Sequence, residues 1–229
     1  MRLVLFDIDG TLIASGRGPK RAFSRAVREV CDVPVQLTYE IAAGNTDPGI
    51  LQHVLTEAGL TTAEIDDISP KVFERHLELL NSLYNKDGDA VMFDGVQPLL
   101  ARLAGNSEVL LALLTGNMER GARIKLSPFD INHYFDFGAY GSDDANRDLL
   151  PAIAVQRASE RTGLTFAGAD VVVVGDTIKD IQCARVIGAR SVIVVRHPSQ
   201  DAPVRDAAPE VILEDFLDTD LVEQSILTC

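Results

Sequence analysis

The sequence is poor in cysteine: only Cys31, Cys183 and Cys229 of its 229 residues carry a thiol. So small, odd and scattered a set argues against a disulfide framework and a cysteine-based zinc site, and it is expected of a protein kept in a reducing cytoplasm. Long apolar runs are missing as well. The N-terminal run at residues 3–6 is broken by Asp7 and Asp9, far short of a signal-peptide core, and no later run approaches the roughly 18 residues of a membrane span. Basic residues are scarce, 21 against 34 acidic, leaving a net charge of −13. That field repels phosphate backbones and anionic lipid, so neither nucleic acid nor a membrane surface is an expected partner. It also repels a small anionic substrate, which would need a bound cation or a few placed basic side chains beside it. Internal repeats and low-complexity tracts are absent too. What is left, with 46% hydrophobic and 24% charged residues, is an ordinary globular composition, long enough to bury a core unaided.

Short apolar runs recur at residues 3–6, 109–114, 135–139, 171–174, 192–195 and 211–213, with helix-period patterns between them. Strands alternating with helices build a parallel sheet covered on both faces. The valine run at 171–174 shows no polar alternation, so it is the expected sheet centre, with 3–6 beside it. About a hundred residues separate the first two runs, far more than one crossover helix needs. Apolar residues recur there three and four apart, in stripes beginning at Ala22, Ile50 and Val72. Three such stripes close a small bundle. The flexible stretches 14–19 and 85–89 bound this insert and read as a hinge.

Open parallel sheets bind ligands beyond the carboxyl ends of their strands. Here residues 3–6 are followed by Asp7-Ile8-Asp9-Gly10-Thr11, 109–114 by Thr115-Gly116-Asn117, and 171–174 by Gly175-Asp176-Thr177, with Asp180 one turn on. Carboxylates gathered at one edge repel one another unless something positive joins them. Mg²⁺ is the simplest partner, because it prefers oxygen ligands and takes one or two carboxylates with substrate phosphate. Asp7, Asp176 and a loop carbonyl suit it.

In order and spacing these motifs resemble those of the haloacid dehalogenase superfamily over nearly the whole chain. The insert resembles the helical cap of its phosphoglycolate phosphatase-like and β-phosphoglucomutase-like branch. The resemblance implies an α/β fold: a Rossmann-like parallel sheet core with helices on both faces at 1–15 and 91–229, and an all-helical cap domain at 16–90. It implies Asp7 as a nucleophile forming an aspartyl-phosphate, and Asp9 as general acid and base. Thr115 and Gly116, with Asn117, would hold phosphoryl oxygens at a helix start. Mg²⁺ would sit on Asp7, Asp9 and Asp176, with Asp180 ordering the metal shell. Branches with dehalogenase or phosphonatase chemistry carry no acid at the position of Asp9, so they are disfavoured.

The family's phosphate-neutralising base, usually Lys, has two candidates. Lys125 lies eight residues beyond Asn117, about 12 Å along a helix axis, and is read as too distant. Arg147, after the run 135–139, is assigned instead, although the usual Lys-Pro pair is Arg147-Asp148 here. In the insert, Arg17 at the hinge and Gly44 and Asn45 are candidate substrate contacts, and Asp47 reads as a helix N-cap before Pro48. Lys20, Arg21, Arg25 and Arg28 read as a solvated face, and His53, His76, His133 and His197 as structural. The expected protein is a Mg²⁺-dependent cytoplasmic phosphatase acting on a small phosphorylated metabolite enclosed by the cap; no feature indicates an oligomeric state. A phosphosugar mutase would use the same core residues. A receiver-like signalling domain or a non-catalytic binding domain is the other alternative, against which the large insert and the retained Asp7 and Asp9 count.

Overall fold

The computed structural model describes residues 1–196 and 198–228, so His197 and Cys229 of the readings above lie outside the described residues. In chain order its strands are β1 (Arg2–Phe6), β2 (Ile13–Ala14), β3 (Val91–Met92), β4 (Val109–Thr115), β5 (Gly138–Tyr140), β6 (Val171–Gly175), β7 (Arg190–Val194) and β8 (Val211–Leu213). Six of them form one parallel sheet in the order β5-β4-β1-β6-β7-β8. Alternate side chains point to opposite faces. Val4, Phe6, Val172 and Val174 enter one core, and Leu3, Leu5, Val171 and Val173 the other. Both faces are covered, which is why these runs carry no polar alternation.

Residues 135–139 were expected as a strand, and the structure shifts it to Gly138–Tyr140. The Phe135 carbonyl accepts from the Arg123 guanidinium at 2.6 Å and so is not part of the ladder. Pairing begins at Gly138 opposite Leu113.

Helices α1 (Gly18–Cys31), α2 (Tyr39–Ala42), α3 (Asp47–Glu57) and α4 (Thr62–Leu83) lie between β2 and β3. They enclose a separate apolar cluster that includes Phe23, Val27, Leu51, Leu55, Val72 and Leu80. The chain leaves and returns at one point, because β2 and β3 pair antiparallel, Ile13 opposite Met92. Helix α4 starts well before its Val72 stripe, at a Thr61–Glu64 capping box, and runs through Pro70. The N-cap of α3 is Thr46, whose hydroxyl accepts from the Gly49 N–H at 3.0 Å. Asp47, expected as that cap, is instead the first helical residue, and its carboxylate accepts from the Met118 N–H at 2.8 Å.

The remaining helices are α5 (Val96–Ala104), α6 (Glu119–Leu126), α7 (Leu150–Thr162), α8 (Ile178–Val186), α9 (Pro198–Asp206) and α10 (Thr219–Thr228). No described helix is long and apolar enough to cross a membrane.

Candidate active site

The register of the two central strands decides where the acids meet. Leu3 to Phe6 pair in step with Val171 to Val174, and the Asp7 N–H donates to the Val174 carbonyl at 2.9 Å. Asp7 and Asp176 therefore emerge side by side. Gly10 adopts φ +87°, and a Cβ there would lie 2.3 Å from an Asp176 oxygen, so only glycine lets this loop lie against that carboxylate. One oxygen each of Asp7, Asp176 and Asp180 lies within 4.8 Å of the others, and all three residues are buried.

This cluster is short of positive charge. Burial pushes Asp7 up to about 7 despite the offsetting Arg147, with Asp180 and Asp9 adding to the rise. Burial, Asp180 and Asp7 likewise raise Asp176 well above the carboxylate range. Asp180 is the best satisfied of the three. Its Oδ1 accepts from Arg147 at 2.6 Å, and its Oδ2 accepts from the Asp176 and Thr177 N–H groups and the Thr177 hydroxyl. It thus completes the capping box of α8 and anchors Arg147 at once. Arg147 also reaches Asp7 at 3.3 Å.

Asp9 belongs to a second network. Its carboxylate accepts from Lys125 Nζ at 2.7 Å, from Asn117 Nδ2 at 2.8 Å and from the Ser15 hydroxyl, and it stands apart from the acidic triad. Burial raises its proton affinity, but Lys125 and these hydrogen bonds outweigh that and hold Asp9 below its usual range. Asn117 also donates to the Thr115 hydroxyl at 2.8 Å, which ties the end of β4 to the same network.

The reading of Lys125 as too distant is overturned: its Nζ lies 2.5 Å from Asn117 Oδ1. Distance along the axis misled, because side chains on a helix lean towards its N-terminus and a lysine stem spans a full turn. The site therefore holds two buried cations, Arg147 on the triad and Lys125 on Asp9.

The insert closes over these residues. Thr46 donates to the Ala145 carbonyl at 2.6 Å, and the Asp47 N–H donates to the Gly116 carbonyl at 2.8 Å. A Cβ on Gly116 would lie 2.2 Å from the Asn45 carbonyl oxygen, so the two backbones need glycine there. Between insert and sheet lies a cavity of about 250 Å³. Asp7, Asp9, Thr115, Gly116, Asn117, Lys125, Arg147 and Asp176 line it from the sheet side, and Gly44 and Asn45 from the insert. Arg17 does not. Its side chain is 68% exposed and pairs with Asp89 at 3.2 Å; Lys20, read as part of a solvated face, lines the cavity instead. His76 reaches the wall as well, with burial holding its imidazole below the usual range and hence neutral.

The family model of haloacid dehalogenase-like hydrolases matches residues 4–194. The chain belongs to this family. Among curated relatives, the phosphoglycolate phosphatase of Pseudomonas putida is 26% identical over 217 residues, covering 94% of this chain and 77% of that protein. The tyrosine-protein kinase PtkA of Mycobacterium tuberculosis is 29% identical over 195 residues, covering 84% of this chain and 62% of that protein. Among solved structures, a predicted phosphoglycolate phosphatase from Haemophilus somnus superposes with a TM-score of 0.71 at 22% identity, covering 98% of both chains. The haloacid dehalogenase-like hydrolase fold is thus present throughout, including the helical insert.

Four residues with a place at the site escaped the sequence reading: Lys125, Ser15, Lys20 and Gln200, the last of which donates to Asp176 at 3.1 Å. Ser15 follows only the two-residue β2, outside the main sheet, and the other three stand on helices. Lys125 alone carried a signal, as a cation on the helix that follows the Thr115 loop.

Proposed function

We propose that the chain is a Mg²⁺-dependent phosphatase that hydrolyses a small phosphomonoester through an aspartyl-phosphate on Asp7. The observation that carries this reading is Asp7 itself, a buried carboxylate at the head of a central strand, 3.3 Å from Arg147 and facing the cavity beside Thr115 and Gly116. Asp7 and Asp176 offer a hard cation oxygen donors only, and burial leaves both short of compensating charge. They are the residues that would hold Mg²⁺, since Asp180 is already matched by the Arg147 guanidinium at 2.6 Å and by three further donors. Bound there, the ion supplies the positive charge that ionises Asp7 and offsets the repulsion of a phosphoryl group.

The chain's own residues divide the remaining work. Arg147 and the Thr115 hydroxyl bind phosphoryl oxygens, with the Gly116 N–H at the start of the following turn. An Asp7 oxygen attacks phosphorus, the ester P–O bond breaks, and its electron pair leaves with the organic oxygen, which takes a proton from Asp9. Water then attacks the aspartyl-phosphate, Asp9 takes back the proton, and the Asp7–phosphorus bond breaks to release phosphate. Asp9 is ionised in the resting site; the negative charge of the incoming phosphoryl group raises its proton affinity, and it takes up from solvent the proton that it then delivers to the leaving oxygen. Lys125 and Asn117 aim its carboxylate throughout.

At about 250 Å³ the cavity is smaller than the roughly 300–1,000 Å³ of ordinary ligand pockets, which supports a small leaving group. The similarity to phosphoglycolate phosphatases makes phosphoglycolate the first compound to test. Phosphate release is measured from phosphoglycolate, phosphosugars, nucleotides, pyrophosphate and an aryl phosphate, with Mg²⁺ or with chelator. Release that stops on chelation is expected. An isomeric phosphosugar without free phosphate would replace hydrolysis by a mutase, and ATP-dependent phosphotyrosine without phosphate release would favour the chemistry named for the PtkA relative.

A further inference from the structure

Gln200 lies in α9, outside every motif of the site, yet only 8% of it is exposed. Its Nε2 donates to two acceptors at once: the Tyr39 hydroxyl on α2 of the insert at 2.5 Å, and Asp176 Oδ2 at 3.1 Å. Its Oε1 is buried and has no partner among the described residues. A buried amide that leaves one atom unsatisfied is held in place by the bonds it does make. Here those two bonds join an insert helix directly to an acid of the triad. The Thr11 hydroxyl also donates to Asp176 Oδ1, at 3.4 Å, so Gln200 is the closer anchor.

We infer that Gln200 is a positioning residue that couples docking of the insert to the orientation of the Asp176 carboxylate. When the insert is seated, Tyr39 fixes one side of the amide, and the amide presents its second N–H to Asp176. When the insert lifts, Tyr39 leaves and the amide is free to turn, so Asp176 loses a charge-assisted hydrogen bond. Two sites that share one element bias each other equally. Cation binding at Asp176 and seating of the insert therefore strengthen one another. The cation half of this inference rests on the phosphatase reading above.

The test combines Tyr39→Phe, Gln200→Ala and their double variant. Mg²⁺ affinity is measured by calorimetry without substrate. Tyr39→Phe removes only the hydroxyl that meets the Gln200 amide, and it is expected to weaken Mg²⁺ binding about 3- to 10-fold, the range one hydrogen bond allows. Gln200→Ala should weaken it by at least as much, and the double variant should be no weaker than Gln200→Ala. Unchanged affinity in Tyr39→Phe, or losses that multiply in the double variant, would overturn the coupling.

Hydrogen exchange on the metal-free protein is the second arm. Gln200→Ala should speed exchange of the amides of residues 39–46 about tenfold while α1 and α4 stay as in the wild type; equal rates at 39–46 would overturn the inference. A wild type that binds no Mg²⁺ would end the phosphatase reading, and the exchange arm would still decide whether Gln200 clasps the insert.

Discussion

On the sheet side of the cavity, Asp7, Thr115, Asn117, Lys125, Arg147 and Asp176 are each less than 8% exposed, and each has a named polar partner. On the insert side, Lys20 is exposed, while Phe23, Leu37 and Ile50 present apolar surface. Buried charges keep their geometry because any other arrangement leaves one of them unpaired in a poor solvent. Apolar and solvated groups carry no such constraint. The difference teaches that the sheet side is built to repeat one reaction, and that the insert side can vary to suit a leaving group.

The most severe way to break this division is Asp7→Asn. It should remove turnover for every substrate, by more than about 10⁴-fold for loss of a covalent nucleophile, with the circular dichroism spectrum unchanged. Retained activity would refute the mechanism on the sheet side.

Arg147 and Lys125 sharpen the comparison within that side. Arg147→Met leaves Asp180 and Asp7 buried without their cation and should cost about 3–5 kcal/mol of stability as well as activity. Lys125→Met frees the more exposed Asp9, whose carboxyl is 39% accessible. It should fold, with a loss of about 10²-fold concentrated in kcat. Denaturant melts and steady-state kinetics on both variants separate the two cations.

The pH dependence follows from the raised proton affinity of Asp7. Its folded-state value, about 7, lies above the ordinary 3.8. The protonated acid is therefore favoured by the fold, and its contribution to stability is full below about 4 and lost as pH rises to about 7. In chelator, wild type should lose up to a few kcal/mol relative to Asp7→Asn between pH 4 and 7.5. Mg²⁺ should restore the difference by binding the ionised carboxylates. Thermal melts of both proteins, with and without the ion, check the sign.

The smallest effect belongs to the insert side. Lys20→Ala should raise KM a few-fold for a substrate with an anionic leaving group and leave kcat, and an aryl phosphate, unchanged. A fall in kcat for both would show that Lys20 acts on the reaction itself and would blur the division.

Much of this was legible before any coordinates. The short unbroken apolar runs of the strands, the parallel sheet, the long helical interruption and the three strand-end motifs are local patterns, and each motif residue stands next to the strand that delivers it. Asp7, Asp9, Thr115 and Asp176 could be named for that reason. Arg17, Lys125 and the cap of α3 could not be placed correctly. Their roles depend on which way a flexible side chain turns after the helices pack: Arg17 finds Asp89, Lys125 reaches back to Asp9, and Asp47 reaches across to Met118.

By itself, then, the sequence determined the fold class, the family and the acids at the sheet edge, because apolar runs and strand-end position are properties of neighbouring residues. Only the tertiary structure decided that Asp9 is held by Lys125, that Asp180 both caps α8 and anchors Arg147, and that Gln200 joins Tyr39 to Asp176. Apart from the cap itself, each of these joins residues at least 24 positions apart, and its geometry exists only once sheet, helices and insert are packed together.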